Sequence, residues 1–115
     1  MQDKPELSLL LDYYGAFLTN NRRELLDLSV NEDLSLGEIA ELKGISRQGV
    51  RDALIHGERQ LYDMESKLGL AARDAEIAGL IAQLRSEISI QSIENERIES
   101  ILSRLEEITE GENGI

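Results

Sequence analysis

Cysteine is absent from the 115-residue sequence, and proline and aromatic residues are scarce. Without cysteine the chain can form no disulfide, offers no thiol nucleophile and has no thiolate ligand for zinc, which is typical of proteins in a reducing compartment. The single proline, Pro5, lies near the start, so no proline interrupts a helix further along. A chain of this length suits one small domain with an appendage rather than a multidomain enzyme with a deep cleft.

Long apolar runs are missing as well. The run from Leu7 to Leu11, which includes Ser8, is far too short to cross a bilayer, and no run elsewhere approaches the required length of about 20 residues. No charged and then apolar leader precedes a cleavage site of small residues. The sequence therefore predicts a cytoplasmic protein with no membrane partner.

Positive charge is also in short supply. The formal net charge is −11, made up of −5 over residues 1–68 and −6 over the shorter stretch 69–115. A summed field of this sign repels polyanions such as nucleic acid and anionic lipid. Residues 34–60, with four acidic and four basic side chains, form a locally neutral window in this acidic chain.

Apolar residues recur three and four positions apart along almost the whole chain, and no segment alternates like a strand, so the predicted fold class is all-α. Pro5 suits the first turn of a helix that runs to about Phe17. Thr19 or Asn20 then caps a second helix. The aromatic cluster of Tyr13, Tyr14 and Phe17 is able to stack on bases, but at the end of a first helix it is more typical of a core.

The stretch "SLGEIAELKGISRQGVRDAL", Ser35 to Leu54, predicts two helices joined by a tight turn. Ser35 and Glu38 form a capping box at the start of the first, and Gly44 supplies a left-handed residue at its end. Ser46 caps the second helix, which runs from Arg47 to about Leu68. Two sets of apolar residues should be buried on this pair of helices: Leu36, Ile39, Ala40 and Leu42 on the first, and Val50, Leu54, Gly57, Leu61, Met64 and Leu68 on the second. Gly49 and Gly57 weaken the second helix and are expected where another backbone approaches closely.

Two domains are predicted: a helical domain over 1–68 with a helix-turn-helix within 35–60, and an acidic amphipathic helical extension over 69–115 with a frayed C-terminus. The extension has two apolar stripes: Ile77, Ile81, Leu84 and Ile88, then Ile98, Leu102, Leu105 and Ile108. Polar Gln91 and Asn95 between them predict a break or bend. These stripes either fold back on the small core or form a homodimer seam, and the apolar area favours the dimer.

A helix-turn-helix places its second helix in the major groove of DNA. Ser46, Arg47, Gln48 and Arg51 at the start of that helix are candidate contacts to bases and phosphates, with Lys43 and Arg59 as phosphate contacts. Arg47 and Arg51 equally suit solvated pairs with Asp52 or Glu58, and the whole motif equally suits a protein-docking role. DNA binding and protein docking both remain open at this point.

The segment "LSLGEIAELKGISRQGVRDALIHGERQL" resembles region 4 of bacterial sigma factors, in which Arg47, Gln48 and Arg51 match promoter base-contacting positions. The chain is more closely similar to the YlxM family of small helical proteins with a sigma-region-4-like helix-turn-helix. Three segments carry that resemblance: "LLLDYYGAFLT" (9–19), "EDLSLGEIAELKGISRQGV" (32–50) and "YDMESKLGL" (62–70). It implies a regulatory or accessory factor of the signal recognition particle pathway. Gly49 departs from the family's usual alanine, and Ile55-His56 from a basic pair that would contact phosphate.

Nothing in the sequence predicts catalysis. His56 is the only histidine, and Glu38 and Glu41 have no neighbouring nucleophile or glycine-rich phosphate loop. The prediction is a DNA-binding regulatory protein that is not an enzyme and uses no cofactor or metal. The alternative is an adaptor that docks a protein component of the signal recognition particle without binding DNA.

Overall fold

The computed structural model describes residues 3–110, and among these it contains helices but no strand, which confirms the all-α prediction. The α-helices are α1 (Lys4–Tyr14), α2 (Asn20–Val30), α3 (Leu36–Lys43), α4 (Arg47–Leu68), α5 (Leu70–Ile90) and α6 (Glu96–Glu110), with a 3₁₀ turn at Gly15–Phe17. The contacts divide the chain into a unit up to Gly69 and a unit from Leu70 onward. None of these helices is long and apolar enough to cross a membrane. The segment "EGENGI" (110–115) was predicted to fray, but its first residue, Glu110, is still the last residue of α6, and the rest lies outside the described residues.

The first unit is organised around α4, which packs against α1, α2 and α3. Its core consists of side chains that are fully shielded from solvent: Leu7, Tyr14, Leu25, Leu26, Ile39, Val50 and Leu61. Each buried aliphatic side chain of this size contributes roughly 1.5–3 kcal/mol to the free energy of unfolding. Two hydrogen bonds tie the same helices together. The Tyr14 hydroxyl donates to Glu65 over 2.5 Å, and the Arg22 guanidinium donates to the Gln60 amide oxygen over 2.6 Å.

The first helix is shorter than predicted. It ends at Tyr14, and residues 15–17 form the 3₁₀ turn. Phe17 is the last residue of this turn, because the chain becomes extended at Leu18. Phe17 is 63% exposed, and its assignment to the core was wrong, whereas Tyr13 and Tyr14 are buried as expected. Thr19 is the cap of α2, with its hydroxyl accepting from the Arg22 amide.

Three leucines predicted to be buried in the helix-turn-helix are exposed instead. Leu36 begins α3, Leu42 lies in its last turn, and Leu68 ends α4. Their exposed fractions are 38%, 63% and 60%. Each lies at a helix end, where the neighbouring helices no longer cover the apolar arc that periodicity identifies.

The two glycines of α4 were expected to lie against another backbone, and neither does. A Cβ atom at Gly57 would lie 2.7 Å from Cδ1 of Leu26, a buried side chain of α2. A Cβ atom at Gly49 would meet only the Ser46 hydroxyl, at 3.1 Å. Gly57 is therefore required by side-chain packing, while Gly49 faces its own helix cap.

The second unit is a hairpin of α5 and α6, and the predicted break between the two apolar stripes is confirmed at residues 91–95. The Asn95 side chain caps α6 by accepting hydrogen bonds from the Arg97 and Ile98 amides. Arg85 of α5 joins the helices. Its guanidinium donates two hydrogen bonds to Glu106, of 2.8 and 3.1 Å, and pairs with Glu99 two turns away.

Most of the large apolar side chains of the hairpin remain uncovered. Ile81 and Leu102 are buried where the helices meet. Seven others are between 38% and 68% exposed: Leu80, Leu84, Ile90, Ile93, Ile101, Leu105 and Ile108. At about 100° per residue, Leu80 and Leu84 lie on one side of the Ile81 contact, and Ile101, Leu105 and Ile108 lie on the corresponding side of Leu102. Because the helices run antiparallel, these five side chains lie on one side of the hairpin, and we call them the open face.

Candidate nucleic-acid interface

The turn between α3 and α4 is built as the sequence predicts. The Ser35 hydroxyl accepts from the Glu38 amide, and the Glu38 carboxylate accepts from the Ser35 amide over 2.8 Å, which completes the capping box. Gly44 ends α3 in a left-handed conformation with φ of 68°, and its amide bonds back to Ala40. A side chain at Gly44 would be strained by this dihedral angle. Two helices joined through such a turn have the helix-turn-helix geometry.

The first turn of α4 is exposed, as a groove-reading helix requires. Ser46 caps it, with its hydroxyl oxygen accepting from the Gly49 amide over 2.9 Å. The Gly49 amide is therefore satisfied by this cap, while Ser46 itself lies on the exposed surface. Arg47, Gln48, Arg51 and Asp52 all lie on the exposed surface.

Arg47 folds back over α3. A Cβ atom at Gly37 would lie 3.0 Å from a terminal nitrogen of the Arg47 guanidinium, so the two residues are in direct contact. Gly37 leaves space for the guanidinium at the start of α3. In this arrangement the arginine lies on the protein surface and must swing outward to reach a base.

Two of the predicted nucleic-acid contacts are occupied by acidic partners. The Gln48 amide donates to the Asp52 carboxylate over 2.9 Å, one helical turn further along. Lys43 forms an ion pair with Glu24 of α2. Sequence inspection missed this second pair because its residues are 19 positions apart and belong to different helices.

The arginines of α4 differ from most of the other basic residues. Arg47, Arg51 and Arg59 make no hydrogen bond or ion pair with any described residue. Six of the other nine basic residues form ion pairs with carboxylates. The alternative left open by the sequence, pairing of Arg47 or Arg51 with Asp52 or Glu58, does not occur. In a chain with nearly twice as many acidic as basic side chains, α4 therefore presents three free guanidinium groups.

Arg51 also borders an open groove of about 360 Å³. Its lining comes from the start of α1, the end of α2, the α2–α3 connection, the start of α3 and α4: Lys4, Ser29, Leu34, Leu36, Arg51, Leu54, Ile55 and Glu58. Lys4 is paired with Asp33, a non-glycine residue with φ of 57° whose carboxyl pKa is lowered by that pairing. Partial burial raises the pKa of Glu58 above its ordinary value of 4.5. The groove thus has an apolar floor with a free cation at one end and a partly desolvated acid at the other.

Glu58→Gln should flatten part of the pH dependence of stability. A carboxyl group whose pKa is raised by folding favours the folded state below its ordinary pKa, and this contribution is lost as the pH rises through the raised value. At neutral pH the glutamine variant should therefore be the more stable, by less than about 1 kcal/mol because the side chain is partly exposed.

Urea unfolding of both proteins from about pH 4 to about pH 7 measures this difference. The stability advantage of the variant should grow as the pH rises above 4.5. An advantage that is the same at every pH would show that ionisation of Glu58 is not its cause.

Among the described residues, no group of three or more histidine, aspartate or glutamate side chains is arranged to hold a metal ion.

Comparison with known proteins identifies relatives over nearly the full length. Residues 1–101 match the sequence model of the UPF0122 family, described as "Putative helix-turn-helix protein, YlxM / p13 like". The chain is 45% identical over 102 residues to a UPF0122 protein of Thermoanaerobacter sp. (strain X514), which covers 89% of this chain and 86% of the relative. A UPF0122 protein of Acetivibrio thermocellus is 43% identical over 111 residues, with coverages of 91% and 95%. One from Clostridium perfringens (strain 13 / Type A) is 36% identical over 109 residues, with coverages of 94% and 97%. The resemblance inferred from the three short segments is confirmed.

Proposed function

Since the chain belongs to the UPF0122 family of YlxM / p13-like helix-turn-helix proteins, we propose that it is a regulatory protein that binds duplex DNA through α4. Ser46, Arg47, Gln48 and Arg51 meet the major groove, because they occupy the exposed first turns of the second helix. Arg59 and Lys43 lie further out and contact phosphates. The activity is recognition rather than catalysis.

The observation that carries this proposal is the set of unpaired arginines on α4. Unpaired arginine side chains on one helix face can bind phosphate and guanine without first breaking an internal ion pair. Gln48 and Lys43 contribute less, since each must first exchange an acidic partner for DNA. Binding is therefore governed by Arg47, Arg51 and Arg59.

Arg47→Ala combined with Arg51→Ala should weaken binding to a labelled random-sequence duplex by roughly 100-fold at low salt, since two phosphate or base contacts are lost. The plot of log affinity against log salt should become shallower by about 1.8, because each neutralised phosphate contributes about 0.9 to the slope. Fluorescence anisotropy at several salt concentrations measures both quantities.

Arg23→Ala is the matched control, because Arg23 is an exposed and unpaired arginine on α2 that has no part in the proposed interface. It should leave the affinity unchanged to within about twofold. Equal losses from Arg23→Ala and from the double substitution would mean that binding reflects total charge alone. Absence of binding by the wild-type protein at low salt would contradict the proposal itself.

The open face supports self-association. Scattered exposed apolar residues are normal, but a contiguous face of five aliphatic side chains on one small hairpin marks an interaction site. Pairing the open faces of two copies would form a four-helix bundle with Leu84 and Leu105 near its centre. Such a homodimer would carry two copies of α4 to a palindromic DNA site.

The same surface favours a second candidate function, that of an adaptor for a protein component of the signal recognition particle, as the YlxM resemblance implies. An adaptor would bind its partner through the helical surface and retain binding when Arg47 and Arg51 are both changed to alanine. The variant Leu84→Glu, Leu105→Glu would lose it. A partner complex that is insensitive to the open face but lost with the arginines would exclude this candidate.

A further inference from the structure

The groove beside Arg51 has features of a ligand site that DNA binding does not explain. Its floor is apolar, with Leu54 97% shielded from solvent and Leu34, Leu36 and Ile55 around it. Its volume of about 360 Å³ lies within the range of small-molecule pockets. We propose that this groove binds a small amphipathic carboxylate, with the anionic group at Arg51 and the apolar chain along the leucine and isoleucine floor.

The charges around the groove select an anion at the Arg51 end. Arg51 has no partner among the described residues, and a guanidinium matches the two oxygens of a carboxylate. Lys4 is neutralised by Asp33, so Arg51 supplies the uncompensated positive charge of the groove. Ser29 adds a small polar group to the lining.

The opposite end of the groove suits a hydrocarbon chain rather than a second charge. Glu58 lies seven residues beyond Arg51 on α4, about 10 Å along the helix axis. An extended medium-chain carboxylate bound at Arg51 spans this distance and ends beside Glu58. Because Glu58 is already partly desolvated, an apolar tail there favours its neutral form, and Glu58→Gln should tighten binding.

The proposed ligand has a regulatory consequence that rests on the proposed DNA binding. Arg51 lies both in the groove lining and in the proposed DNA contact set. A carboxylate paired with its guanidinium removes that group from the DNA interface. The ligand and the duplex should therefore compete, and the amphipathic carboxylate would act as an effector that releases DNA.

The test uses octanoate as the probe and the full-length protein labelled with ¹⁵N. Titration followed by amide chemical shifts should give saturable changes at Leu36, Arg51 and Ile55. Acetate, which has the head group without the chain, and octylammonium, which has the chain with the opposite charge, should each bind there at least about tenfold more weakly. Saturable shifts confined to Leu84 and Leu105 would show that the probe binds only to the open face, and would overturn the proposal.

Arg51→Gln should weaken octanoate binding roughly tenfold, whereas Arg23→Gln, which removes an unpaired arginine on α2, should not change it. Glu58→Gln should strengthen binding of octanoate but weaken that of octylammonium. Tighter binding of octylammonium than of octanoate to the wild-type protein would reverse the assigned polarity and overturn the proposal.

Failure of the site and failure of the DNA-binding proposal can be told apart. Saturable octanoate binding at the groove without any DNA binding would leave the site standing and contradict the proposed function. DNA binding without saturable amide shifts at the groove on octanoate titration would support the proposed function and contradict the ligand site. If both occur, saturating octanoate should raise the apparent DNA dissociation constant at least about fivefold in the wild-type protein, and an unchanged constant would overturn the effector role.

Discussion

Gly57→Ala is expected to destabilise the first unit by about 1–3 kcal/mol, although alanine is the better helix former. The added methyl group would lie 2.7 Å from Cδ1 and 3.3 Å from Cγ of Leu26. Leu26 is fully buried, so its side chain can move away only by displacing the core residues around it. The overlap therefore exceeds the roughly 1 kcal/mol that helix propensity contributes. Urea unfolding followed by circular dichroism measures the difference.

Gly49→Ala provides the matched control on the same helix. Its methyl group would contact only the Ser46 hydroxyl, at 3.1 Å, and a shift of this exposed cap side chain by a few tenths of an ångström relieves the contact. We expect this variant to be more stable than the wild-type protein, by up to about 1 kcal/mol. If the two variants change stability equally, packing against Leu26 is not the reason for Gly57.

A double-mutant cycle isolates the contact itself. Leu26→Ala alone leaves a cavity and should cost about 2–5 kcal/mol. In the Leu26→Ala background, Gly57→Ala should become neutral or stabilising, because the clash is gone and the methyl group fills part of the cavity. Additive effects would mean that the two residues do not interact.

Introducing glutamate at both Leu84 and Leu105 is expected to weaken self-association at least about 100-fold. Both residues lie in the middle of the open face, and pairing two such faces would place four carboxylates in an apolar seam. Sedimentation equilibrium over a range of protein concentrations measures the association constant. The helix content should persist, because both side chains are already partly exposed within a single chain, at 49% and 38%.

Ala82→Glu combined with Ser103→Glu is the control, because it adds the same charge at exposed positions on the other side of the two helices. This pair should associate like the wild-type protein. A wild-type protein that stays monomeric at all concentrations would contradict the proposed homodimer. The open face would then be a candidate binding site for a different protein. Equal effects of the two glutamate pairs would point to general repulsion rather than to the open face.

The local features of the fold were predictable because their causes are local. The capping box of Ser35 and Glu38, the left-handed Gly44 and the break before Asn95 each depend on a few neighbouring residues and occur as predicted. Exposure at helix ends was not predictable in the same way. Leu42 has the right spacing for burial, but whether a neighbouring helix extends far enough to cover it depends on the packing of the whole unit.

In the candidate interface, too, the local features were predictable and those that depend on distant residues were not. Its position on the first turns of α4 follows from the turn and cap residues. Whether each basic side chain has an ion-pair partner does not follow from neighbouring residues. Lys43 is paired with a residue of another helix, while Arg51 is unpaired. The groove beside Arg51 is similarly formed by residues from distant parts of the sequence, and only the folded chain brings Lys4, Leu34 and Glu58 together.

In the proposed DNA complex, the unpaired arginines of α4 act at contact distance, whereas the net charge of −11 acts at long range. A duplex approaching from afar meets repulsion, which dissolved ions screen within about 10 Å at 0.1 M salt. Raising the salt concentration should therefore speed the encounter with DNA while it shortens the lifetime of the complex. For this protein the association rate constant and the affinity should change in opposite directions with salt, unlike those of a basic DNA-binding protein, whose association is slowed by the same screening.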